Sequence, residues 1–383
     1  MSSEKGGGTP LAQRARLAVV VAVVLLPVQA AAAAYSGTTQ VEYKTSRTPE
    51  ARELSDIVAS PTYAHWYWSM SDVWKTTDTF AACAGMVNPE LDDCRQVQRT
   101  RIWAYQIDPD THAILQARAF NLSDPAWALD PTISQNNDWE DLTFGPVRES
   151  GAANLIIGAI GNAANNPVLN SAGENITCDT RRLIELEEPN LDDPARQSWA
   201  PWRIYDLRNY VGARSTNCNM ESLMYAPNAA GSPYAYLVTR TGGQLFARSL
   251  DPSTARTPDQ PPVSVDSVEE YAPNIVSLGV VAASRGAHFS SGDSSGAGVV
   301  LLSPGSSTKP CQIFRWTLSR DVGVAATLTT PPPAKDAIAC RGSEGLTFAR
   351  DRNDPAATSD LYMNSDSKSA TVRYWFLHSS STQ

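Results

Sequence analysis

Three acidic residues occupy equivalent places in repeated stretches of the chain. Each stretch begins with polar residues, and these are followed by a Glu, one spacer residue and a Leu that begins a short apolar segment. The stretches are Asn137–Pro146, Asn219–Pro227 and Gly342–Arg350, and their acids are Glu140, Glu221 and Glu344. Short apolar segments bounded by turn residues are typical of buried strands. We therefore predict that each Glu lies at the entrance of the first strand of a repeated β-unit.

Carboxylates that meet at one place repel each other unless a cation, an Arg or protonation of one acid offsets their charge. Oxygen-rich clusters suit Ca²⁺, which takes about 6–8 oxygen ligands. Such a cluster also provides a general base, or a metal that polarises a phosphate or a lactone. If the units surround a common axis, we predict Glu140, Glu221 and Glu344 as ligands of Ca²⁺.

Residues just beyond strand ends are expected to face the same mouth, because the start of a first strand lies beside the end of its antiparallel neighbour. They would contact a small molecule, a glycan or a protein. The predicted ligand-binding residues are Asp72, Asp138, Asn162, Asn219, Arg240, His288 and Asp366. The sequence assigns no catalytic residue.

A structural role is the alternative for each acid. An acid at a strand start often accepts hydrogen bonds from neighbouring backbone N–H groups and keeps blades in register. Three equivalent acids weaken this interpretation, because buried charges that face one axis are costly. Asn219 is likewise typical of a turn. Both interpretations stay open at the level of the sequence.

Gly292–Gly296 matches the Gly-x-Ser-x-Gly pattern of hydrolases, but the segments around it are not those of a catalytic Ser. A nucleophile elbow needs a strand before it and a helix after it, whereas here a Gly-rich loop leads into the apolar run Gly298–Leu302. We therefore interpret Ser294 as part of a hairpin loop. The histidines show no metal-ligand spacing, and we expect His65 to pack within an aromatic strand.

The strand pattern repeats, and we count five units of four short strands, which is the sequence sign of a propeller. The fold class is therefore all-β, a single β-propeller of five blades, or of six if Asp251–Val281 contains another unit. We place the fourth strand of the third unit at Val263–Val268. The first and fourth strands of the fourth unit are placed at Gly286–Ser290 and Val324–Thr329.

The last unit runs from Ser343 to Leu377 and lacks a fourth strand. The segment Thr38–Lys44 alternates like a strand and has no partner nearby in sequence. Pairing between it and the last unit would hide two sheet edges. We predict that this N-terminal strand closes the ring.

The N-terminus is typical of an export signal. Two arginines precede the apolar run Leu17–Val28, and Ala30–Ala34 has the small residues of a cleavage site. The run is short for a membrane span of about 20 residues, and an uncleaved anchor is the alternative. We predict a signal peptide at 1–34, a propeller at 35–383 and secretion. The net charge of −9 argues against nucleic acid or an anionic membrane as partner.

The six cysteines indicate disulfides, since an even number behind an export signal is typical of oxidised proteins. Each disulfide bond would close a long loop and stabilise the fold by about 2–4 kcal/mol. The most local pairing is Cys83–Cys94, Cys178–Cys218 and Cys311–Cys340.

Together these motifs resemble a secreted bacterial β-propeller family. Its members carry Asp-Trp-Glu-Asp before an apolar strand, then Gly-Asp-Ile-Gly-Asp-Asn, an Arg-x-Ile-Tyr strand and Asn-x-Glu-Ala-Leu. The similar stretches here are Asp138–Leu142, Gly158–Asn162, Arg182–Pro189 and Asn219–Leu223. Ser343–Leu346 is similar to the Glu-Gly-Leu strand of phytase-like and esterase-like propellers. The resemblance covers roughly residues 50–380.

The resemblance implies a hydrolase, and one departure opposes it. The first Asp of the second family motif is Ala159 here, and the later Asp-Asn is Asn162-Ala163. If that segment binds a cation in the family, this chain would bind it weakly. Two function classes remain: a binding propeller with an acidic, Ca²⁺-binding mouth, which we favour, and a phytase-like, esterase-like or lactonase-like hydrolase.

Overall fold

The computed structural model of the chain describes part of its length, and the account below concerns those residues. They are 39–46, 54–70, 85–87, 101–122, 139–148, 151–161, 181–193, 203–207, 219–257, 275–282, 287–294, 298–305, 309–318, 323–332, 334–338, 343–349, 360–365 and 371–378. The strands all belong to one compact unit, Ala32–Gln383. Across these residues, no helix is both long and apolar enough to pass through a membrane.

The strands form five antiparallel four-stranded sheets arranged as a five-bladed β-propeller, which confirms the predicted fold class. The strands of blade 1, from the axis outward, are β2 (Val58–Ala59), β3 (Trp66–Met70), β4 (Arg101–Ile107) and β5 (Ile114–Asn121). Those of blade 2 are β6 (Trp139–Phe144), β7 (Asn154–Ala159), β8 (Arg182–Glu187) and β9 (Arg203–Asp206).

Blades 3 and 4 follow the same order. The strands of blade 3 are β10 (Met220–Pro227), β11 (Pro233–Thr239), β12 (Gln244–Ser249) and β13 (Ile275–Val280). Those of blade 4 are β14 (Ser291–Ser294), β15 (Gly298–Ser303), β16 (Cys311–Thr317) and β17 (Ala334–Ile338), with the short helix α1 (Gly323–Leu328) between the last two.

Blade 5 contains both ends of the propeller. Its strands are β18 (Ser343–Phe348), β19 (Leu361–Ser365), β20 (Thr371–His378) and, outermost, β1 (Thr39–Ser46). β1 pairs with β20 over its full length, from Thr39 opposite His378 to Ser46 opposite Thr371. The predicted closure of the ring by the N-terminal strand is confirmed.

Five apolar clusters stabilise the ring, one between each pair of neighbouring blades. Trp68 of blade 1 and Trp139 of blade 2 are fully buried in the first cluster, and Trp316 of blade 4 is buried in the second. Each blade packs one sheet face against the next blade, so its inner strands are buried on both faces. This explains why their sequences are apolar runs with little alternation.

Several predicted segments are corrected. The inner strand of blade 4 is β14, Ser291–Ser294, and not Gly286–Ser290. Val324–Thr329 is not a strand, since α1 occupies this segment and β17 is the fourth strand. The predicted strand Val263–Val268 lies outside the described residues, and β13 occupies the fourth position of blade 3.

His65 is also corrected. It does not pack within the aromatic strand; it is exposed in the turn that precedes β3, with a positive φ of 63°. The predicted disulfide pairings stay predictions, because five of the six cysteines lie outside the described residues. The sixth, Cys311, is buried, and its sulfur accepts a hydrogen bond of 3.1 Å from the Gly305 N–H.

Gly345 marks the closest approach between the inner strands of blades 5 and 1. A Cβ atom at this position would lie 2.6 Å from the Ile57 nitrogen and 2.7 Å from the Asp56 carbonyl carbon, and it would also clash with the Asn364 side chain. The first two neighbours are backbone atoms of the adjacent blade and cannot rotate away. Only Gly allows β18 to lie this close to blade 1.

We expect Gly345→Ala to destabilise the fold by about 3 kcal/mol, since overpacking against backbone forces the blades apart. Urea unfolding followed by tryptophan fluorescence measures the change. Ser222→Ala is the matched control, because Ser222 is the equivalent residue of blade 3 and already has a Cβ; it should lose less than about 1 kcal/mol. Equal losses in the two variants would contradict the proposed close approach.

Candidate functional site

The three predicted glutamates share one backbone feature, a β-bulge at the start of the inner strand. The pairing register shifts between Trp139 and Asp141, between Met220 and Ser222, and between Ser343 and Gly345. The residue skipped by the register is Glu140, Glu221 or Glu344 in turn. A bulged residue has no partner opposite it, and its side chain is aimed away from the regular pleat. The repeated sequence motif therefore encodes a repeated bulge that presents an acid at the mouth of the propeller.

Arg240 brings the three acids into one electrostatic site. Its guanidinium forms an ion pair with Glu221, whose side chain is 2% exposed. Burial lowers the pKa of Arg240, but Glu221, Glu344 and Glu140 together outweigh burial and raise the pKa above its ordinary value. All three carboxylates therefore lie within range of one guanidinium, as the geometry of repeated blades predicts.

Arg240 is held between two inner strands. Its N–H donates to the Asn219 carbonyl at 2.8 Å, and its own carbonyl accepts from the Phe289 N–H at 3.0 Å. The Asn219 side-chain amide donates to Glu221 Oε1 at 2.8 Å. These hydrogen bonds fix the end of β11 beside the starts of the inner strands of blades 3 and 4. The Arg240 side chain pairs with Glu221 from this fixed backbone.

The other predicted ligand-binding residues divide into two groups. Asn219 and Arg240 lie at the mouth, and His288 is exposed beside them, with its backbone bridged to Thr241. Four predictions fall outside the described residues: Asp72, Asp138, Asn162 and Asp366.

The calcium prediction stays a prediction. Within the described ranges, no three Asp, Glu, His or Cys side chains are grouped closely enough to bind a metal ion. Glu221 Oε1 already accepts hydrogen bonds from Asn219 and Arg240. Within the described ranges, the guanidinium of Arg240 provides positive charge beside these carboxylates.

A second acidic group lies deeper, where the inner strands meet. Asp56 and Asp141 are 1% and 0% exposed, and their carboxyl groups are hydrogen-bonded to each other. Burial raises the pKa of Asp56 to about 7. Burial and the neighbouring Asp56 raise the pKa of Asp141 well above its ordinary range. Two carboxyl groups in contact cannot both ionise at low cost, so this pair shares a proton at neutral pH.

Each member of the pair also accepts a backbone hydrogen bond from the next blade. Asp56 Oδ2 accepts from the Leu142 N–H at 2.7 Å, and Asp141 Oδ2 accepts from the Leu223 N–H. Asp56 Oδ1 accepts from the Ser291 hydroxyl at 3.1 Å, which connects blade 1 to blade 4 across the axis. The pair therefore ties together the inner strands of four blades.

Hydroxyl groups and a third acid continue this arrangement around the ring. The Leu346 N–H donates to Ser291 Oγ at 3.0 Å, the Phe348 N–H to Asp293 Oδ2 at 3.2 Å, and the Ala59 N–H to Thr347 Oγ1 at 3.1 Å. In every case the acceptor belongs to one inner strand and the donor to the next blade. The side chains of one blade thus satisfy the backbone of its neighbour.

The axial aspartates are the residues that the sequence analysis missed. Asp141 directly follows Glu140 in the stretch Asn137–Pro146. The sequence also contains a degenerate copy of this stretch, Glu53–Pro61, in which Asp56 likewise comes directly before the apolar residues. Sequence reasoning offered backbone hydrogen bonding as the alternative role of the glutamates. That role belongs to Asp56 and Asp141, one position further along each strand. The signal was an Asp directly before the apolar segment.

The Gly-x-Ser-x-Gly stretch is corrected. Gly292, Asp293 and Ser294 are not in a hairpin loop but in β14, the inner strand of blade 4. Ser294 is 4% exposed, and its hydroxyl donates to the Tyr225 carbonyl of blade 3. The polar residues of β14 therefore form contacts between blades.

No family model matches the chain, and no curated protein matches it. Solved propeller structures are similar to it in fold only. The PQQ domain of pyranose dehydrogenase from Coprinopsis cinerea is 9% identical, with 88% of this chain and 97% of that chain covered and a TM-score of 0.36. The RS223 β-xylosidase is 8% identical, with 86% and 93% covered and a TM-score of 0.35. The Dos1 propeller is 9% identical, with 86% and 68% covered and a TM-score of 0.30.

The shared proton makes the stability of the propeller depend on pH. Both carboxyl groups bind a proton more tightly in the folded state than in the unfolded chain, because burial raises both pKa values. The contribution of Asp56 is complete below about pH 4 and is lost as the pH rises through about 7. Between pH 5 and pH 8 we expect the free energy of unfolding to fall by about 2–4 kcal/mol. Urea unfolding at a series of pH values measures this decline.

Asp56→Asn is the informative variant, because its amide still accepts from the Leu142 N–H and donates to Asp141. We expect a smaller decline between pH 5 and pH 8 than in the wild type. Asp110→Asn, at an exposed turn residue, should leave the decline unchanged. A wild type whose stability does not fall over this range would contradict the shared proton.

Proposed function

We propose that this chain is a binding propeller, and that its mouth receives a positively charged group of a ligand. The proposal is supported by the bulge that recurs at Glu140, Glu221 and Glu344 at the start of three inner strands, and by the effect of all three carboxylates on the pKa of Arg240, which they raise. A bulge interrupts the strand pairing, and bulges are over-represented beside functional sites. Three of five blades carry one with the same side chain.

The electrostatics of the mouth favour a cationic ligand. A cleft lined by charges of one sign focuses the field and raises the local concentration of ions of the opposite sign. Among the described residues, the carboxylates of Glu140, Glu221 and Glu344 outnumber the guanidinium of Arg240, within a chain of net charge −9. The field attracts an ammonium or guanidinium group and repels phosphates and carboxylates.

Within the mouth, Arg240 and Glu221 have a positioning role. Glu221 is buried and bound by Asn219 and Arg240, so it fixes the guanidinium in place. Glu140 is 8% exposed and Glu344 is partly exposed, and both lie in the field of Arg240. These two glutamates are the best placed to contact a ligand.

An ammonium group needs fewer oxygen ligands than Ca²⁺. Calcium needs about 6–8 oxygen ligands, and the described residues present no group of three acids arranged for a metal. An ammonium group needs two or three hydrogen-bond acceptors at its surface. Glutamate side chains at the rim of a partly exposed mouth meet that smaller requirement.

We also propose that the protein acts outside the cell and contains disulfides. This rests on the predicted signal peptide at 1–34 and on the even number of cysteines. Treatment of the folded protein with a thiol-reactive label, before and after reduction, would count the oxidised cysteines.

Thermal melting and calorimetry test whether the mouth binds a cation. The cationic probes are spermidine, arginine amide and CaCl₂, and sodium phosphate is the anionic control. We expect the organic cations to raise the Tm of the wild type. Glu140→Gln and Glu344→Gln should each weaken their binding by about tenfold, which corresponds to about 1.4 kcal/mol. Asp110→Asn, at the other end of the blades, is the matched control and should bind as the wild type does.

Two results would overturn the proposal. One is binding of no cation, or cation binding that Glu140→Gln and Glu344→Gln leave unchanged. The other is turnover of a phosphate, ester or lactone substrate that Glu140→Gln abolishes, which would support the hydrolase alternative. A rise in Tm with CaCl₂ alone, reversed by a chelator, would identify Ca²⁺ as the cation and support the calcium prediction.

A further inference from the structure

A separate cavity of about 240 Å³ lies between blades 1 and 5. The side chains that matter for its chemistry are His65, Tyr67, His112, Asp360, Tyr362 and Phe376. They lie at the ends of the inner strands, in the turns β2–β3 and β4–β5 and around β19 and β20. The glutamates lie at the starts of the inner strands, so this cavity, the blade 1–5 pocket, faces the opposite side of the propeller from the mouth.

One wall of the pocket is made of aromatic rings in fixed contact. The Tyr67 and Tyr362 rings meet edge to face with centroids 4.9 Å apart, and the Tyr362 and Phe376 centroids are 5.2 Å apart. The His112 imidazole stacks on Phe376 at 3.6 Å. The Tyr362 hydroxyl is hydrogen-bonded to His112 Nδ1 at 2.8 Å, and the Tyr374 hydroxyl donates to the His112 carbonyl at 2.7 Å. The wall is therefore organised before any ligand arrives, which lowers the entropy lost on binding.

Two histidines of the pocket have unusual backbone conformations. His65 and His112 have φ of 63° and 55°, and in the part of the chain that the structure describes no other residue except Gly has a positive φ. This region is unfavourable for residues with a side chain, and Gly avoids the strain. Strained residues of this kind cluster at functional sites. Both positions carry an imidazole that lines the same cavity.

The polar groups of the pocket define the charge of its ligand. Asp360 is 7% exposed, and among the described residues that line the cavity there is no Lys or Arg. A phosphate or carboxylate ligand would therefore meet an acid and no cation. Asp360 interacts with the buried Arg315 behind it, so its negative charge is already offset within the protein. A neutral ligand with hydroxyl groups fits these conditions better than an anion or a cation.

We propose that the blade 1–5 pocket binds a single neutral sugar ring, such as a hexose at the end of a glycan. The partly exposed rings of His112 and Phe376 would contact the C–H face of the sugar, while the Asp360 carboxylate and the imidazoles exchange hydrogen bonds with its hydroxyls. The volume is below the range of about 300–1,000 Å³ typical of drug-sized ligands, so it suits one ring and not an oligosaccharide. This site is independent of the cation site proposed for the mouth.

Calorimetry and saturation-transfer NMR test the proposal, with the methyl glycosides of glucose, galactose, mannose and N-acetylglucosamine as probes. We expect at least one glycoside to bind with Kd of about 0.1–10 mM, the range of a small ligand in a preformed site. His65→Gly should keep or raise the Tm, because Gly relieves the positive φ, and should weaken binding at least about tenfold. Tyr362→Phe should also weaken binding, because it removes the hydroxyl that orients His112.

The same measurements on a control variant show which outcomes would contradict the proposal. Val276→Ser, at an exposed position of β13 on blade 3, should bind sugar as the wild type does. The proposal is wrong if no glycoside binds at tens of millimolar, or if both His65→Gly and Tyr362→Phe leave sugar binding unchanged. Binding of tetramethylammonium in place of the glycosides, lost in His65→Gly, would assign the pocket to a cation. Spermidine binding at the mouth should not respond to His65→Gly, so the two sites can fail separately.

Discussion

The propeller depends on hydrogen bonds from the backbone of one inner strand to side chains of the preceding inner strand. An inner strand is the edge of its own sheet, so some of its N–H groups lack a sheet partner, and at the axis they are also shielded from water. Asp56, Asp141, Ser291, Asp293 and Thr347 supply the missing acceptors. Four of the five junctions between neighbouring blades are completed in this way.

This constraint explains how two adjacent acids come to have different properties. Glu140 is the bulged residue and faces the mouth, whereas Asp141 enters the axis and bonds to the backbone of blade 3. The axial carboxyl groups are stabilised by sharing a proton, and the mouth carboxylates by a guanidinium. Two of the three ways of offsetting converging acids therefore operate in one molecule, at different depths along the axis.

The two candidate sites differ because the two ends of an inner strand differ. At its start, the bulges repeat in three blades and create a site that draws on several of them. At its end, the blade 1–5 pocket belongs to a single junction, where His65 and His112 of blade 1 meet Tyr362 and Phe376 of blade 5. Blade 5 is completed by β1, so this pocket is formed between the first and last blades of a closed ring.

The sequence by itself determined the fold class, most strand positions and the closure by the N-terminal strand. These follow from local apolar runs and from a repeat that can be read along the chain. It misplaced β14 and β17, because the polar residues of Ser291–Ser294 read as a loop when their partners in the neighbouring blades are unknown. Only the tertiary structure showed that Asp56 and Asp141 are buried in contact, that Arg240 pairs with Glu221 within the field of two further glutamates, and that two histidines line one pocket. These features join residues from different blades, and burial at the axis, which decides their charge, exists only when the ring is closed.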